Sequence, residues 1–194
     1  MNLAKIIPER YSQLEFKPII DWIGGSEERF AELMEVFFDG NTRKNQYAAS
    51  IMIHCVDKWD YLLAPHVERL ILNIQKPNLH DAIKRNTVRV LQEVEIPEKL
   101  HGTMAEIAFA YLQNPAEAIA IKVFSMTIVY HLTKKYPELK EELRFILEEQ
   151  MLFQSAGFRS RAGKILREIR STGIFPVKPT NRLDSAHGKD SRAT

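Results

Sequence analysis

The nearest approach to phosphate chemistry in the sequence is Gly157-Phe-Arg-Ser-Arg-Ala-Gly163-Lys164-Ile165. A phosphate-binding loop needs four residues between its glycines and a Ser or Thr after its lysine, so that backbone N–H groups and a hydroxyl reach phosphate and Mg²⁺. Here five residues separate the glycines, Ile165 follows the lysine, and the run falls inside a predicted helix, so that reading fails. Histidine supplies six candidates, His54, His66, His80, His101, His131 and His187. None belongs to an H-E-x-x-H motif or an i, i+4 pair, and the nearest two are twelve residues apart, so the spacing predicts no metal site. His54 and His131 stand inside apolar helical patterns, where partly buried, hydrogen-bonded rings are expected. Glu138, Glu141, Glu142, Glu148 and Glu149 alternate with Lys140 and Arg144 on an amphipathic pattern. They read as a solvated face rather than as acids whose pKa values are set apart by burial. Cys55 is the only cysteine, and its apolar companions Ala48, Ile51 and Met52 predict a buried, inert thiol. No catalytic residue, cofactor site or metal site is expected.

Positive charge is more concentrated. Arg159, Arg161, Lys164, Arg167 and Arg170 face Glu168 alone, a local net charge of +4 within thirteen residues. Arg161, Lys164, Arg167 and Arg170 form a stripe that can hold nucleic-acid phosphates. The competing reading turns the same stripe toward the acidic run 138–149. No aromatic side chains interleave these charges to stack bases, which weakens the nucleic-acid reading.

The elements that position these residues are helices. Phe30, Leu33, Met34 and Phe37 fall at i, i+3, i+4 and i+7, giving one apolar stripe over about Ser26 to Phe38, with Ser26 as N-cap and Glu27 and Glu28 suited to the helix dipole. Asp39-Gly40-Asn41 ends it, and a second helix runs to about Val56. Pro65, Pro97 and Pro137 stand where further helices begin, Pro77 and Pro115 fall in turns, and no period-2 run is bounded by hairpin turns.

The helices repeat. Phe30-x-x-Leu33-x-x-x-Phe37 is followed by Val67-x-x-Leu70-x-x-x-Ile74, Met104-x-x-Ile107-x-x-x-Tyr111 and Leu143-x-x-Ile146-Leu147. After each break comes a second helix with a basic residue and then a small one three positions on. These read Ile83-Lys84-x-x-Thr87, Ile121-Lys122-x-x-Ser125 and Phe158-Arg159-x-x-Ala162, with Asn45 and Ala48 in the first unit. Two helices per unit at a period near 38 residues specify a stacked α-solenoid.

On these residues the chain resembles HEAT repeats of the armadillo-type class, over about Ser26 to Arg170. Ala120-Ile-Lys-Val-Phe-Ser-Met-Thr-Ile-Val-Tyr130, Pro137-Glu-Leu-Lys and Ala162-Gly-Lys-Ile-Leu166 are similar to short bacterial HEAT-like proteins that sometimes carry the name adenylosuccinate lyase. The signature loop of that enzyme, Ser-Ser-x-Met-Pro-x-Lys-x-Asn, is absent, so no lyase activity is expected. The resemblance implies an all-α superhelix of about four helix pairs and a non-catalytic scaffold or adaptor. Its concave surface, lined by the second helices, would take a peptide or protein segment, with Arg43, Lys44, Lys84, Arg85, Arg89 and Lys122 as contacts. The alternative, by analogy with HEAT-like DNA glycosylases, is nucleic-acid binding.

Composition bounds this reading. The 194 residues are about one domain's worth, enough for a continuous core without disulfides. Residues 171–194 hold four basic and two acidic groups, so the whole net charge of +2 falls there and the rest is neutral overall. That segment reads as a flexible tail, residues 1–25 as an N-terminal helical cap, and 26–170 as the solenoid. The strongest apolar stretch is broken by Lys122 and His131, so no membrane span or leader is expected and the location reads as cytoplasmic. Trp22, Trp59 and Tyr61 either cover an end of the core or anchor a partner.

Overall fold

The computed structural model describes residues 3, 7, 16–39 and 42–171. Every regular element among them is helical. Helix α1 (Phe16–Ile23) buries Phe16, Ile19, Ile20 and Ile23 and leads into a Gly24-Gly25 turn. Ser26 then starts α2 (Glu27–Phe38): its backbone is extended, and its hydroxyl accepts from the Arg29 N–H at 3.3 Å. Phe30, Leu33, Met34 and Phe37 are wholly buried, as their spacing requires. The remaining helices are α3 (Thr42–Val56), α4 (Val67–Ile74), α5 (Asp81–Leu91), α6 (His101–Gln113), α7 (Ile119–Leu132), α8 (Leu139–Gln150) and α9 (Ala156–Ser171). They form four antiparallel pairs, α2/α3, α4/α5, α6/α7 and α8/α9, preceded by α1. The expected tail beyond residue 171 and most of residues 1–15 lie outside the described residues, although Leu3 and Ile7 are buried in the core.

The pairs stack in one direction. Helix α1 packs on α3, α3 on α5, α5 on α7 and α7 on α9, whereas α2, α4 and α6 pack chiefly on their own partners and α8 packs about equally on α7 and α9. The second helices therefore make a continuous inner layer, and the first helices a less connected outer one. Close approach is possible because Ala48, Thr87, Ser125 and Ala162, one per inner helix, are small and wholly buried. The outer helices are tied across units by side-chain bridges instead. Arg69 pairs with Glu35 and lies 4.1 Å over the Phe38 ring, Lys99 meets Glu68 at 2.7 Å, and Gln113 donates to Glu142 at 3.3 Å.

Two prolines enter their helices less directly than expected. Pro65 sits inside a 3₁₀ turn (Asp60–His66) ahead of α4, and Pro97 caps another (Glu98–Leu100) ahead of α6. A tight 3₁₀ turn tolerates the missing N–H and re-aims the chain before the α-helix begins. The first of these turns also closes the N-terminal junction. Tyr61 Oη donates to the Gly25 carbonyl at 2.6 Å, Trp59 is half-buried beside it, and the Arg29 guanidinium lies 5.1 Å over the Trp22 ring. The exposed-aromatic candidates thus join α1 to the first unit.

Candidate functional site

The inner helices expose different side chains along the stack, and the terminal helix α9 is exposed over most of its surface. On α5 one stripe carries Arg85 and Arg89; on α9, Arg161, Lys164 and Glu168; on α3, Arg43, Ser50 and His54. These are positions three, four, seven or eleven apart, one helix face. Helix α7, the third in the row, is different. It is buried almost all round: along the corresponding face His131 is exposed, Ala120 and Phe124 are half-buried, and Thr127 is buried. The inner face is therefore cationic on α5 and α9 and apolar between them. Sequence reading missed Ala120 and Phe124 because both sit in a uniformly apolar run. Adding the 38-residue repeat to Arg85 and Arg89 would have pointed to Val123 and Thr127 beside them.

The six predicted contacts divide. Arg43, Arg85 and Arg89 are exposed, with Arg89 bridging Asp57 at 3.2 Å, and Lys44 is half-buried. Lys84 and Lys122 are corrected: they point into the seams between units, because the position three before the small residue faces the next pair. Lys84 donates to both oxygens of Glu117, at 2.9 and 2.8 Å, and meets Asp81 at 3.1 Å. Burial alone would lower its pKa, but these carboxylates outweigh it and raise it. Lys122 is 1% exposed and reaches only Gln150 Oε1, at 3.5 Å, and burial lowers its pKa despite the nearby Glu117 charge.

The basic stripe of α9 turns only one end toward the acidic helix. Arg170 meets Glu148 at 3.0 Å, while Arg144 of α8 satisfies Glu141 and Glu148 from within its own helix, at 2.8 and 2.7 Å. Arg161, Lys164 and Arg167 are exposed and form no ion pair among the described residues. Glu168 accepts from Tyr130 Oη, tying α9 to α7.

The histidines follow expectation in part. His54 is exposed, whereas the His131 ring is partly buried, as its apolar pattern predicts. Partial burial of its ring and the Lys134 charge hold His131 below the usual histidine range, with Arg161 adding to the effect. The buried ring is His101, 4% exposed, which bonds the Ile96 carbonyl through Nε2 at 2.7 Å and Tyr136 Oη through Nδ1 at 3.0 Å. A carbonyl accepts only, so Nε2 carries the proton and Nδ1 accepts from Tyr136. Both nitrogens are then occupied. His101 lines a recess of about 210 Å³ with Leu91, Ile96, Ile128 and Leu132, smaller than ordinary ligand pockets. No group of three or more His, Cys, Asp or Glu among the described residues is arranged to hold a metal ion, and none of their helices is long and apolar enough to cross a membrane. Cys55 is buried, and that burial pushes its thiol up to about 12.

No curated protein and no solved structure matches the chain significantly. The HEAT repeat domain family matches residues 3–169, nearly the whole of the solenoid seen here and the α1 segment with it. Repeat length, paired helices, inner-layer stacking and this match agree: the chain belongs to the HEAT repeat domain family.

Proposed function

We propose that the protein is a non-catalytic scaffold or adaptor that binds a peptide or protein segment along the face formed by α3, α5, α7 and α9. The mixed character of that face carries the reading. A nucleic-acid groove needs a continuous run of unpaired cations to meet evenly spaced phosphates. Here the cationic stripes of α5 and α9 are separated by Ala120 and Phe124, and Glu93 and Glu168 lie on the same side. Protein segments present such mixtures of apolar and charged groups, and HEAT solenoids typically act in protein interaction. In this reading residues 1–25 cap the open end of the stack and 26–170 carry the binding surface.

The test pairs the inner face with the outer. Affinity capture from native lysate with the unaltered chain should recover a protein that Arg85→Glu/Arg89→Glu loses and that Lys140→Glu, on the outer helix α8, retains. Loss in neither variant, or a salt-sensitive gel shift abolished by neutralising Arg161, Lys164 and Arg167, would replace this reading with the nucleic-acid one.

A further inference from the structure

We infer that the segment taken by the inner face is acidic at both ends and apolar at its centre, its apolar side chain seated on Ala120 and Phe124 of α7 and its carboxylates meeting Arg85 on one side and Arg161 and Lys164 on the other. This rests on the scaffold reading above and specifies its ligand.

Charge complementarity supports it. The carboxylates near this face are mostly engaged within the chain: Asp57 with Arg89 at 3.2 Å, Asp81 with Lys84 at 3.1 Å, and Glu168 with the Tyr130 hydroxyl. Arg89 and Lys84 are committed to those pairs, but Arg85, Arg161 and Lys164 meet no carboxylate among the described residues. Arg85 reaches only the side-chain oxygen of its neighbour Asn86, at 3.4 Å. Glu93 opposes this excess, but it stands beyond the end of α5, eight residues from Arg85 and so about 12 Å along the helix direction. The face therefore has positive charge to spare on two helices and an apolar shelf between them. Arginine also suits paired recognition of carboxylate oxygens.

Helix spacing sets the ligand's length. Neighbouring packed helices lie about 8–10 Å apart, so α5 and α9, with α7 between them, are separated by roughly 16–20 Å. An extended chain rises about 3.3 Å per residue, so about five or six residues bridge the two cationic stripes. The pattern is an acidic residue, a short run centred on an aromatic or aliphatic side chain, and a second acidic residue.

Random heptapeptides selected by display on the full chain test this, with the enriched sequence then titrated as a fluorescein-labelled peptide by anisotropy. The expected enrichment is Asp or Glu toward both ends and an apolar residue at the centre. Affinity should fall about tenfold in Arg85→Glu and again in Lys164→Glu, fall with rising salt, and stay unchanged in Lys140→Glu. Arg85→Lys should keep part of the binding, and circular dichroism shows that each variant is folded. Enrichment of neutral or basic peptides, or equal binding by the charge-reversed variants, overturns the inference and leaves the scaffold reading standing. Enrichment of no peptide on the folded chain overturns both.

Discussion

The Lys84 ammonium clasps both oxygens of Glu117, at 2.9 and 2.8 Å, across the seam between the second and third units. Glu117 lies in the turn between α6 and α7, with its side chain 3% exposed, and Lys84 is 17% exposed. A carboxylate so placed is tolerable only while its counter-ion stays.

Lys84→Met should therefore destabilise the fold by about 3 kcal/mol, mostly the cost of an unpaired buried charge. The double variant Lys84→Met/Glu117→Leu should recover most of that loss, because neither charge remains to be compensated. Urea unfolding followed by circular dichroism measures both. A double variant as weak as the single one would show that packing of the lysine stem, not the charge, holds this seam.

Lys122 occupies the same repeat position 38 residues later and predicts the opposite result. Its amine is buried with one acceptor at 3.5 Å, and no carboxylate from the fourth unit reaches it. Lys122→Met keeps the stem, removes the buried charge and should leave stability unchanged or raise it by about 1 kcal/mol. A loss as large as that of Lys84→Met would mean that Glu117, which raises the Lys122 pKa electrostatically, depends on both lysines.

The contrast shows what a one-dimensional pattern carries. Leu33, Leu70, Ile107 and Ile146 announce the repeat because burial against a helix's own partner depends on local periodicity. Ala48, Thr87, Ser125 and Ala162 mark the close contacts for the same reason. Lys84 and Lys122 read as surface cations because a helical face does not say which neighbouring unit covers it. Phe124 fails in the reverse direction: in an all-apolar stretch it looks like core, and only the stacking of α5, α7 and α9 leaves one edge open. The cationic part of the candidate site was legible through Arg85, Arg89, Arg161 and Lys164; the apolar shelf that separates them was not.

Cys55 gives a pH-dependent prediction. Burial raises its pKa from an ordinary value near 9.0 to about 12, so the folded state holds the thiol proton more tightly than the unfolded state does. That contribution is fully present below pH 9 and is lost as pH rises toward about 12. Lys84, whose pKa is also raised, acts with the same sign above the ordinary lysine range. Stability measured by urea titration should decline from pH 9 upward, with a shallower decline in Cys55→Ala. At pH 8 the native thiol should resist an aromatic disulfide reagent and react only as fast as the fold opens. Immediate reaction would place Cys55 within reach of solvent.

Gly25 tests the junction between α1 and the first unit. Its φ of +79° lies in the left-handed region, and a Cβ there would stand 2.8 Å from Tyr61 Oη and 3.2 Å from the Trp59 ring. Gly25→Ala thus combines backbone strain with a clash, and should cost about 2 kcal/mol. Tyr61→Phe loses the bond to the Gly25 carbonyl, for about 1 kcal/mol, yet removes the oxygen a Cβ would meet. The two changes together should therefore cost less than their sum, by about 1 kcal/mol in a double-mutant cycle. Strict additivity would show that backbone strain accounts for the whole effect of Gly25→Ala and that the Tyr61 hydroxyl moves aside freely.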